Sequence, residues 1–381
     1  MSSGNGHAPS YWEKRTFLRR RNLIIVGSGI VGLSAALEAK RKNPKWSILV
    51  VDRSMVPHGA STKNAGFACF GSPSELLSDI EKHGWDDMIT LVKKRWEGLQ
   101  ILMKLVPEQD LNYIPCGGYE VFNDAQRELL DECLEALPAL NEALSFIGHD
   151  VFHHRASLQD HGLENFHGII ACPYEASIHP GMMMRSLIRQ CHTAGIEFLN
   201  GLDVSAIDDQ GDKTCIQSKD FEVTSDYLLL ATNAFTTKLL PEIDLYPARN
   251  QVVVTTPINN LQLKGIYHHD AGYVYFRTVE GNRILLGGAR NIFEQQERTD
   301  QITVTENVLQ HLQELLARKI VPGTTFGIDY QWSGILGLGS QKTPLVQWYS
   351  DRIFVACRMG GMGISIGAHI GQTAAFEMVT R

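Results

Sequence analysis

The sequence lacks the features that mark several classes of protein. It has seven cysteines in 381 residues; the number is odd and no two have C-x-x-C spacing, which excludes a disulfide framework or a cysteine zinc site as the basis of the fold. No apolar run approaches the roughly 20 residues that cross a bilayer. The net charge is −7 and basic residues are dispersed, which argues against a nucleic acid partner.

The N-terminal residues are polar and charged. The segment Tyr11-Trp12-Glu13-Lys14-Arg15 is unlike the apolar core of a secretory signal. Unpaired cysteines suit a reducing compartment, so we expect a cytoplasmic protein. The one basic run, Arg19-Arg20-Arg21, is interpreted as the end of a solvated tail over residues 1–21.

Five histidines cluster in a loop-rich stretch without forming a known ligand pattern. None belongs to an HExxH motif, so we interpret them as surface residues and predict no metal site. They are His149, His153, His154, His161 and His167.

A βαβ unit stands at the start of the chain. An apolar strand over 23–26 precedes a glycine-rich turn, a helix over 30–42 and a second apolar strand over 47–51. Such continuous apolar runs are typical of parallel strands that are buried on both faces.

The turn between this strand and helix reads Gly27-Ser28-Gly29-Ile30-Val31-Gly32. In this pattern the first glycine makes the tight turn, the second admits a pyrophosphate to the backbone, and the third permits close helix packing. The helix N-terminus attracts phosphate charge, and Asp52 at the end of the second strand suits ribose hydroxyls. The pattern predicts dinucleotide binding.

A second glycine run, Gly361 to Gly367, resembles another dinucleotide fingerprint and raises NAD as an alternative cofactor. A βαβ unit needs a further strand, however, and only a helix follows before Arg381. We therefore interpret this run as a loop that directs a helix N-terminus, and its positive dipole end, toward a flavin ring.

Seven segments in order along the chain resemble the D-amino acid oxidase superfamily of FAD-dependent oxidoreductases, which includes glycine oxidase, sarcosine oxidase and gamma-glutamylputrescine oxidase. Ser10-Tyr11-Trp12 and Trp332-Ser333-Gly334 indicate the gamma-glutamylputrescine oxidase-like subgroup as the nearest. The segments are Gly27–Gly32 with Asp52, Gly59–Gly66, Ile178–Gly181, Ala231–Ala234, Pro247–Gln251, Ile284–Gly288 and Gly360–Gly363.

The resemblance implies an α/β (α+β) fold in which a Rossmann-like FAD-binding domain with a parallel sheet is interleaved with an antiparallel-sheet substrate domain. The short β runs between 247 and 290 are typical of such an antiparallel meander. The predicted segments are the tail 1–21, FAD-binding parts at 22–110, 166–245 and 333–381, and substrate-domain parts at 111–165 and 246–332.

The resemblance also implies which residues hold FAD. Small residues of the 59–66 loop would admit the flavin, and the C-terminal glycines would meet its pyrimidine edge. Residues 333–350 contain no cysteine of the kind that attaches flavin in sarcosine oxidases, so non-covalent FAD is expected. The predicted cofactor residues are Gly27, Gly29, Ile30, Val31, Gly32, Asp52, Arg53, Ala60, Ser61, Thr62, Asn64, Ala65, Gly66, Val204, Ala231, Thr232, Trp332, Gly361, Met362, Gly363 and Ile364.

The residues expected to bind the substrate differ from the pattern of the family. Relatives carry a carboxylate-binding arginine just after the meander, and none stands after Trp332 here. Arg358 is predicted as its replacement, with a surface ion pair as the alternative. Tyr273, Tyr275 and Arg277 share one strand face by alternation, either roofing the flavin or facing solvent. Lys63 in the flavin loop either activates oxygen or binds a phosphate or helix end.

The resemblance implies an enzyme that oxidises the C–N bond of a small amine or amino acid by hydride transfer to the flavin, giving an imine that hydrolyses. The electron acceptor is oxygen or another, unknown species. Two alternatives stay open: an FAD-dependent 2-hydroxy acid dehydrogenase of the same fold, and a flavin-binding protein without turnover.

Overall fold

The computed structural model describes residues 8–155, 157–163 and 165–381. The first seven residues of the predicted tail lie outside the described residues. The strands are β1 (Arg21–Val26), β2 (Ile48–Asp52), β3 (Phe67–Ala68), β4 (Gly118–Phe122), β5 (His153–Arg155), β6 (Gly168–Cys172), β7 (Ala176–Ser177), β8 (Glu197–Asn200), β9 (Ala206–Asp209), β10 (Thr214–Gln217), β11 (Glu222–Leu230), β12 (Tyr246–Thr255), β13 (Ile266–His269), β14 (Val274–Val279), β15 (Arg283–Gly288), β16 (Ile328–Leu338), β17 (Leu345–Trp348) and β18 (Ile353–Cys357).

The strands build two eight-stranded sheets and one two-stranded sheet of β3 and β7, and helices pack on both of the larger sheets. A π-helical turn, Leu316–Ile320, continues the tenth helix. The α-helices are α1 (Tyr11–Thr16), α2 (Ile30–Lys42), α3 (Ala60–Lys63), α4 (Pro73–His83), α5 (Trp85–Leu105), α6 (Glu108–Leu111), α7 (Arg127–Ala143), α8 (Pro180–Thr193), α9 (Glu294–Glu297), α10 (Glu306–Leu315) and α11 (Gly363–Val379). Across the described ranges, no helix combines the length and apolar character needed to cross a membrane.

The first sheet has the strand order β17-β18-β11-β1-β2-β8, with β10 and β9 attached beside β11. Strands β8, β2, β1, β11 and β18 pair in parallel, whereas β17 is antiparallel at the edge. Apolar side chains on both faces explain the continuous apolar runs, because one face packs under α2, α8 and α11 and the other on a separate core. This is the predicted Rossmann-like arrangement.

The second sheet has the order β16-β12-β15-β14-β13-β4-β6-β5, and its neighbours are antiparallel except β13 and β4. Phe276 and Leu286 pack on one face against Leu312 of α10. Since side chains alternate across a strand, Tyr275 projects from the opposite face and packs near Val252 and Val254. The predicted fold class, with parallel and antiparallel sheets interleaved along the chain, is confirmed.

The structure revises three local expectations. The apolar pattern over roughly 75–105 predicts one long helical stretch, but Gly84, with φ +83°, separates α4 from α5. Strand β6 pairs with β4 and β5 in the antiparallel sheet, so we propose moving the domain boundary from 165/166 to beyond Cys172. Likewise β16 carries the antiparallel sheet past the predicted boundary at 332.

The basic run near the N-terminus is not a solvated tail. Arg21 is only 1% exposed and donates to Glu197 at 2.7 Å, while Arg19 pairs with the same carboxylate and Arg20 with Asp226. The guanidinium groups therefore fasten β1 to its neighbours. His161 also differs from the prediction of a surface histidine, because it is buried and its Nδ1 lies 2.8 Å from the Tyr267 hydroxyl.

Helix α11 lies between α2 and α5 at backbone-contact distance. A Cβ built on Gly98 of α5 would lie 2.0 Å from the Ser365 carbonyl oxygen. A Cβ on Gly371 of α11 would lie 2.5 Å from the carbonyl oxygen of Val31 in α2. Glycine at these positions lets the N-termini of α2 and α11 converge on one cleft.

This packing predicts that Gly98→Ala destabilises the protein, although alanine usually stabilises a helix relative to glycine. Helix propensity alone favours alanine by about 1 kcal/mol, but the methyl group here must displace the α11 backbone, at a cost of about 1–3 kcal/mol. We expect a lower free energy of unfolding in urea. Thr90→Ala, on the exposed side of the same helix, is the matched control and should be neutral or stabilising. A stabilised Gly98→Ala protein contradicts the packing.

Candidate active site

The glycine turn after β1 has one position that faces open space. Gly27 has φ +110°, and a Cβ there would lie 2.5 Å from the Ala231 carbonyl oxygen. A Cβ on Gly32 would lie 2.0 Å from the Gly27 carbonyl oxygen. Gly29 meets only the Ser61 Oγ, at 3.0 Å. The first and third glycines therefore serve the fold, and Gly29 leaves backbone open to a ligand.

The end of β2 supplies an oriented carboxylate beside this turn. Asp52 Oδ2 accepts hydrogen bonds from the Ser28 backbone N–H at 2.9 Å and the Ser28 hydroxyl at 2.7 Å. Arg53 places its guanidinium 3.7 Å from the centre of the Phe235 ring, a cation–π contact. Both residues line the cleft.

The cleft runs from the turn to the start of α11. Near its end, a Cβ on Gly360 or Gly361 would come no closer than 3.7 Å to any neighbour, so backbone is open to a flat group there. The predicted residues that line the cleft are Gly27, Gly29, Ile30, Val31, Asp52, Arg53, Ala60, Ser61, Lys63, Asn64, Val204, Ala231, Thr232, Gly361, Gly363 and Ile364.

The other predicted cofactor residues lie behind the cleft or beyond it. Gly32 is packed against the turn, and Thr62 donates to backbone carbonyls of its own loop. Trp332 donates its indole N–H to the Lys63 carbonyl at 3.0 Å, so it holds the loop in place. Ala65, Gly66 and Met362 line a second cavity instead.

This second cavity shares walls with the cleft at Lys63, Leu336 and Gly361. Tyr273 and Tyr275 enter it from the antiparallel sheet, as predicted from strand alternation. The Asn250 amide lies 3.4 Å from the Tyr275 hydroxyl, and burial raises the pKa of Tyr275 to about 12, which keeps the phenol neutral at physiological pH.

Arg277 lies behind this cavity rather than on its wall. It is 9% exposed, and its Nη2 donates to the Ile178 carbonyl at 3.0 Å. A Cβ on Gly66 would lie 3.0 Å from the same nitrogen. Burial lowers the pKa of Arg277 to about 10. The geometry supports a role in bracing the flavin loop, and it does not support contact with substrate.

Arg358 is engaged elsewhere as well. Its Nη1 donates to the Asp244 carboxylate at 2.6 Å and to the Asp244 carbonyl at 2.8 Å, and its Nε donates to Thr343. The residue is 5% exposed and lines neither cavity. We therefore withdraw Arg358 as the carboxylate clamp, because its guanidinium already has a carboxylate partner.

Lys63 lines both cavities. Burial lowers the pKa of its ammonium group, and no ion pair within 4.0 Å is formed with any described residue. It is the one predicted catalytic cation whose side chain remains available at the junction, and its role stays a prediction.

The second cavity also contains residues that sequence reasoning missed. Cys69 and His268 line it, and Glu175 lies behind them with its Oε2 2.9 Å from His268 Nε2. The donor atoms of these three residues lie within 4.8 Å of one another. Such donors suit a metal ion, but two of them already satisfy each other. Their separation along the chain left no spacing signal to read.

Three further missed residues line the same cavity: Glu75, Arg290 and Lys342. Glu75 lies in the first turn of α4. Arg290 comes two residues after the end of the strand motif Ile284–Gly288, which is the one local signal that would have pointed to it.

The profile of the DAO family, described as FAD dependent oxidoreductase, matches residues 22–377. This chain belongs to that family. Haemophilus influenzae has a relative named probable oxidoreductase OrdL, which is 22% identical over 377 residues, covering 94% of this chain and 83% of the relative.

Two solved structures share the fold. Glycine oxidase from Geobacillus kaustophilus has a TM-score of 0.71 and 17% identity, with 95% of each chain covered. L-proline dehydrogenase from P. horikoshii has a TM-score of 0.73 and 13% identity, covering 94% of this chain and 92% of that one. The family resemblance is confirmed: the chain is an FAD-dependent oxidoreductase.

The shape of the cleft fits FAD. The open backbone at Gly29 lies at the N-terminus of α2, where phosphate is stabilised, and Asp52 is oriented for ribose. The second cavity, with its aromatic and charged walls, adjoins the end of the cleft where the Gly360–Gly361 backbone is open. The assignment of individual residues to FAD remains a prediction.

Gly29→Val tests that assignment. Only Gly29 of the three glycines can take a side chain without meeting backbone, so the variant should fold yet lose FAD, since the side chain fills the space for the pyrophosphate. The flavin absorbance per protein and the thermal unfolding of the apoprotein measure the two properties. Glu222→Val, at an exposed position of β11 that does not line the cleft, is the control. A folded Gly29→Val protein that keeps its flavin refutes the fingerprint.

Proposed function

We propose that this enzyme oxidises the C–N bond of a small amine or amino acid to an imine, which water then hydrolyses. The two structural neighbours are a glycine oxidase and an L-proline dehydrogenase, and the names of both contain substrates with such a bond. The observation that carries the proposal is Asn250 Oδ1 on the wall of the second cavity, a buried acceptor that suits a substrate N–H and has no hydrogen-bond partner among the described residues.

Burial alone would lower the pKa of His268, but the Glu175 carboxylate at 2.9 Å, with Glu120 and Glu75 farther away, raises it overall. The Glu175 carboxylate thereby favours the charged form of the imidazole and fixes the ring on the cavity wall through Nε2–H.

Bound FAD supplies the hydride acceptor. The protein's own residues then have three tasks. Tyr275 and Asn250 shape the wall, and the Asn250 Oδ1 has no hydrogen-bond partner among the described residues, so we propose that it accepts a substrate N–H. Trp332 and Arg277 fix the loop that carries Lys63. Lys63 places a positive charge at the junction of the cavities, where it would stabilise developing negative charge.

A panel of substrates tests the proposed reaction. The purified protein should be yellow, acid precipitation should leave FAD in the supernatant, and a small amine or amino acid should bleach the flavin without oxygen. Bleaching only by 2-hydroxy acids would establish the dehydrogenase of the same fold instead. Absence of bleaching across both panels would favour a flavin-binding protein without turnover, and admitting air after bleaching shows whether oxygen is the acceptor.

The proposed state of His268 predicts how stability depends on pH. Because its folded pKa is raised above the ordinary 6.5, its pairing contributes fully below pH 6.5 and is lost as the pH rises through the folded pKa. His268→Gln should therefore lower the free energy of unfolding more at pH 6 than at pH 9, as measured by urea titration of the holoenzyme.

The neighbouring His269 offers a control, because its contribution to stability should depend on pH in the opposite direction. Burial lowers its pKa despite a hydrogen bond to the Val121 carbonyl, so its contribution grows as the pH rises past the unfolded value. His269→Gln should cost more at pH 8 than at pH 5. If His268→Gln shows the same trend as His269→Gln, the Glu175 carboxylate does not raise the pKa of His268 and the proposed pairing is refuted.

A further inference from the structure

The charges on the wall of the second cavity do not balance. Four cationic side chains line it, and they are Lys63, Lys82, Arg290 and Lys342. Glu75 is the one carboxylate among the described lining residues, and His268 has its own partner in Glu175. This cationic cavity lies in a chain whose net charge is −7, so the excess is local.

The Glu75 carboxylate does not offset the excess positive charge of the other cations, because it is already paired with Arg95 and Lys342. Its Oε1 lies 3.2 Å from Arg95 Nη1 and 3.6 Å from Lys342 Nζ. Lys342 Nζ in turn lies 2.5 Å from Asp79 Oδ1. The two carboxylates and two cations neutralise one another. Lys63, Lys82 and Arg290 remain, and none has an ion pair within 4.0 Å among the residues that the structure describes.

The backbone directs Arg290 into the cavity. Gly288 and Ala289 have φ values of +120° and +62°, and alanine rarely adopts such a conformation. The Ala289 N–H donates to the Tyr273 carbonyl at 2.9 Å, and the turn brings the Arg290 guanidinium to 4.8 Å from the centre of the Tyr273 ring. The nearby Asp270 carboxylate instead accepts from Asn291 at 2.8 Å.

Stacking on an aromatic ring leaves the edge of a guanidinium free. That edge carries parallel N–H donors, which match the two oxygens of a carboxylate. Arg290 comes from the antiparallel sheet, Lys82 from the exposed end of α4, and Lys63 from the flavin loop. The unpaired cations thus enter one cavity from both parts of the molecule.

We propose that the substrate is an amine carrying two carboxylates, one of which binds Arg290 with Lys82 nearby, while the other is attracted by Lys63. This inference rests on the proposed function, since it takes the second cavity as the substrate site. An amino acid with one carboxylate would leave part of the cationic wall unmatched. A dianion satisfies both ends, and a cleft of one sign also concentrates such a ligand.

Two unreactive acids test the proposal in the holoenzyme. Glutarate and valerate have the same carbon chain and differ by one carboxylate. Titration of each against the flavin absorbance should give a dissociation constant roughly tenfold lower for glutarate, as expected for one added charge-assisted pair. The preference should weaken as the ionic strength rises.

Single substitutions test which residue binds the second carboxylate of glutarate. Arg290→Gln should weaken glutarate binding roughly tenfold and valerate binding less, because a single carboxylate can still use Lys63. The dissociation constant of Arg290→Lys for glutarate should lie between those of the unchanged protein and Arg290→Gln. Lysine keeps the positive charge but lacks the parallel N–H donors of a guanidinium. Arg283→Gln removes the same charge at the other end of β15, where Arg283 pairs with Asp329 away from the cavity, and should leave both constants unchanged.

The outcomes separate this inference from the proposed reaction. Equal affinity for the two acids, absence of any flavin response to either, or equal effects of Arg290→Gln and Arg283→Gln would overturn the dicarboxylate site. None of these measurements requires turnover. If glutarate binds as expected but no amine bleaches the flavin, the reaction is refuted and the anion site stands; if norvaline bleaches it as efficiently as glutamate, the reaction stands and the substrate class is wrong.

Discussion

The close approach of backbones around α2 is the constraint on which the rest of the molecule depends. Gly32 permits the helix to start directly on the β1 turn, and Gly371 and Gly98 let α11 settle against α2 and α5 at distances that no side chain would tolerate. Two helix N-termini, at Ile30 and Gly363, consequently point into one cleft. A cofactor with both a pyrophosphate and an electron-accepting ring meets a partial positive charge at each.

Several charged and aromatic residues near the cleft stabilise its loops instead of touching ligands. Arg277 donates to the Ile178 carbonyl and Trp332 to the Lys63 carbonyl, so both hold the flavin loop. Arg358 pairs with Asp244 and also donates to the Thr343 carbonyl, away from that loop. A side chain close to the flavin in sequence is thus not necessarily close to substrate, because a buried donor must first satisfy its own hydrogen bonds.

The substrate cavity gains its character from the meeting of the two sheets. Its tyrosines come from β14 and the loop before it, its carboxylate from α4, and its cations from the flavin loop, α4 and the segments after β15 and β16. Lys342 joins α4 to the part of the chain that carries the flavin glycines. The same ionic network that closes the wall also removes Glu75 from the charge balance, and it leaves Arg290 as the guanidinium that can receive an anion.

The sequence by itself determined the nucleotide-binding unit through local rules: apolar runs make buried strands, and the spacing of Gly27, Gly29, Gly32 and Asp52 indicates a strand–turn–helix that faces phosphates. The cofactor and the fold class followed from the seven segments that resemble the family. Alternation also predicted a common face for Tyr273 and Tyr275, and in the structure Tyr275 of β14 and Tyr273 of the turn before it line the same cavity. Tertiary structure decided the partners of each charge. In the sequence, Arg358 and Arg290 look equally available to bind a carboxylate. In the folded structure Asp244 pairs with Arg358, whereas Arg290 lies over the ring of Tyr273. Pairing across more than a hundred residues leaves no periodic trace in the chain, and for that reason only the folded structure separates the bracing arginine from the free one.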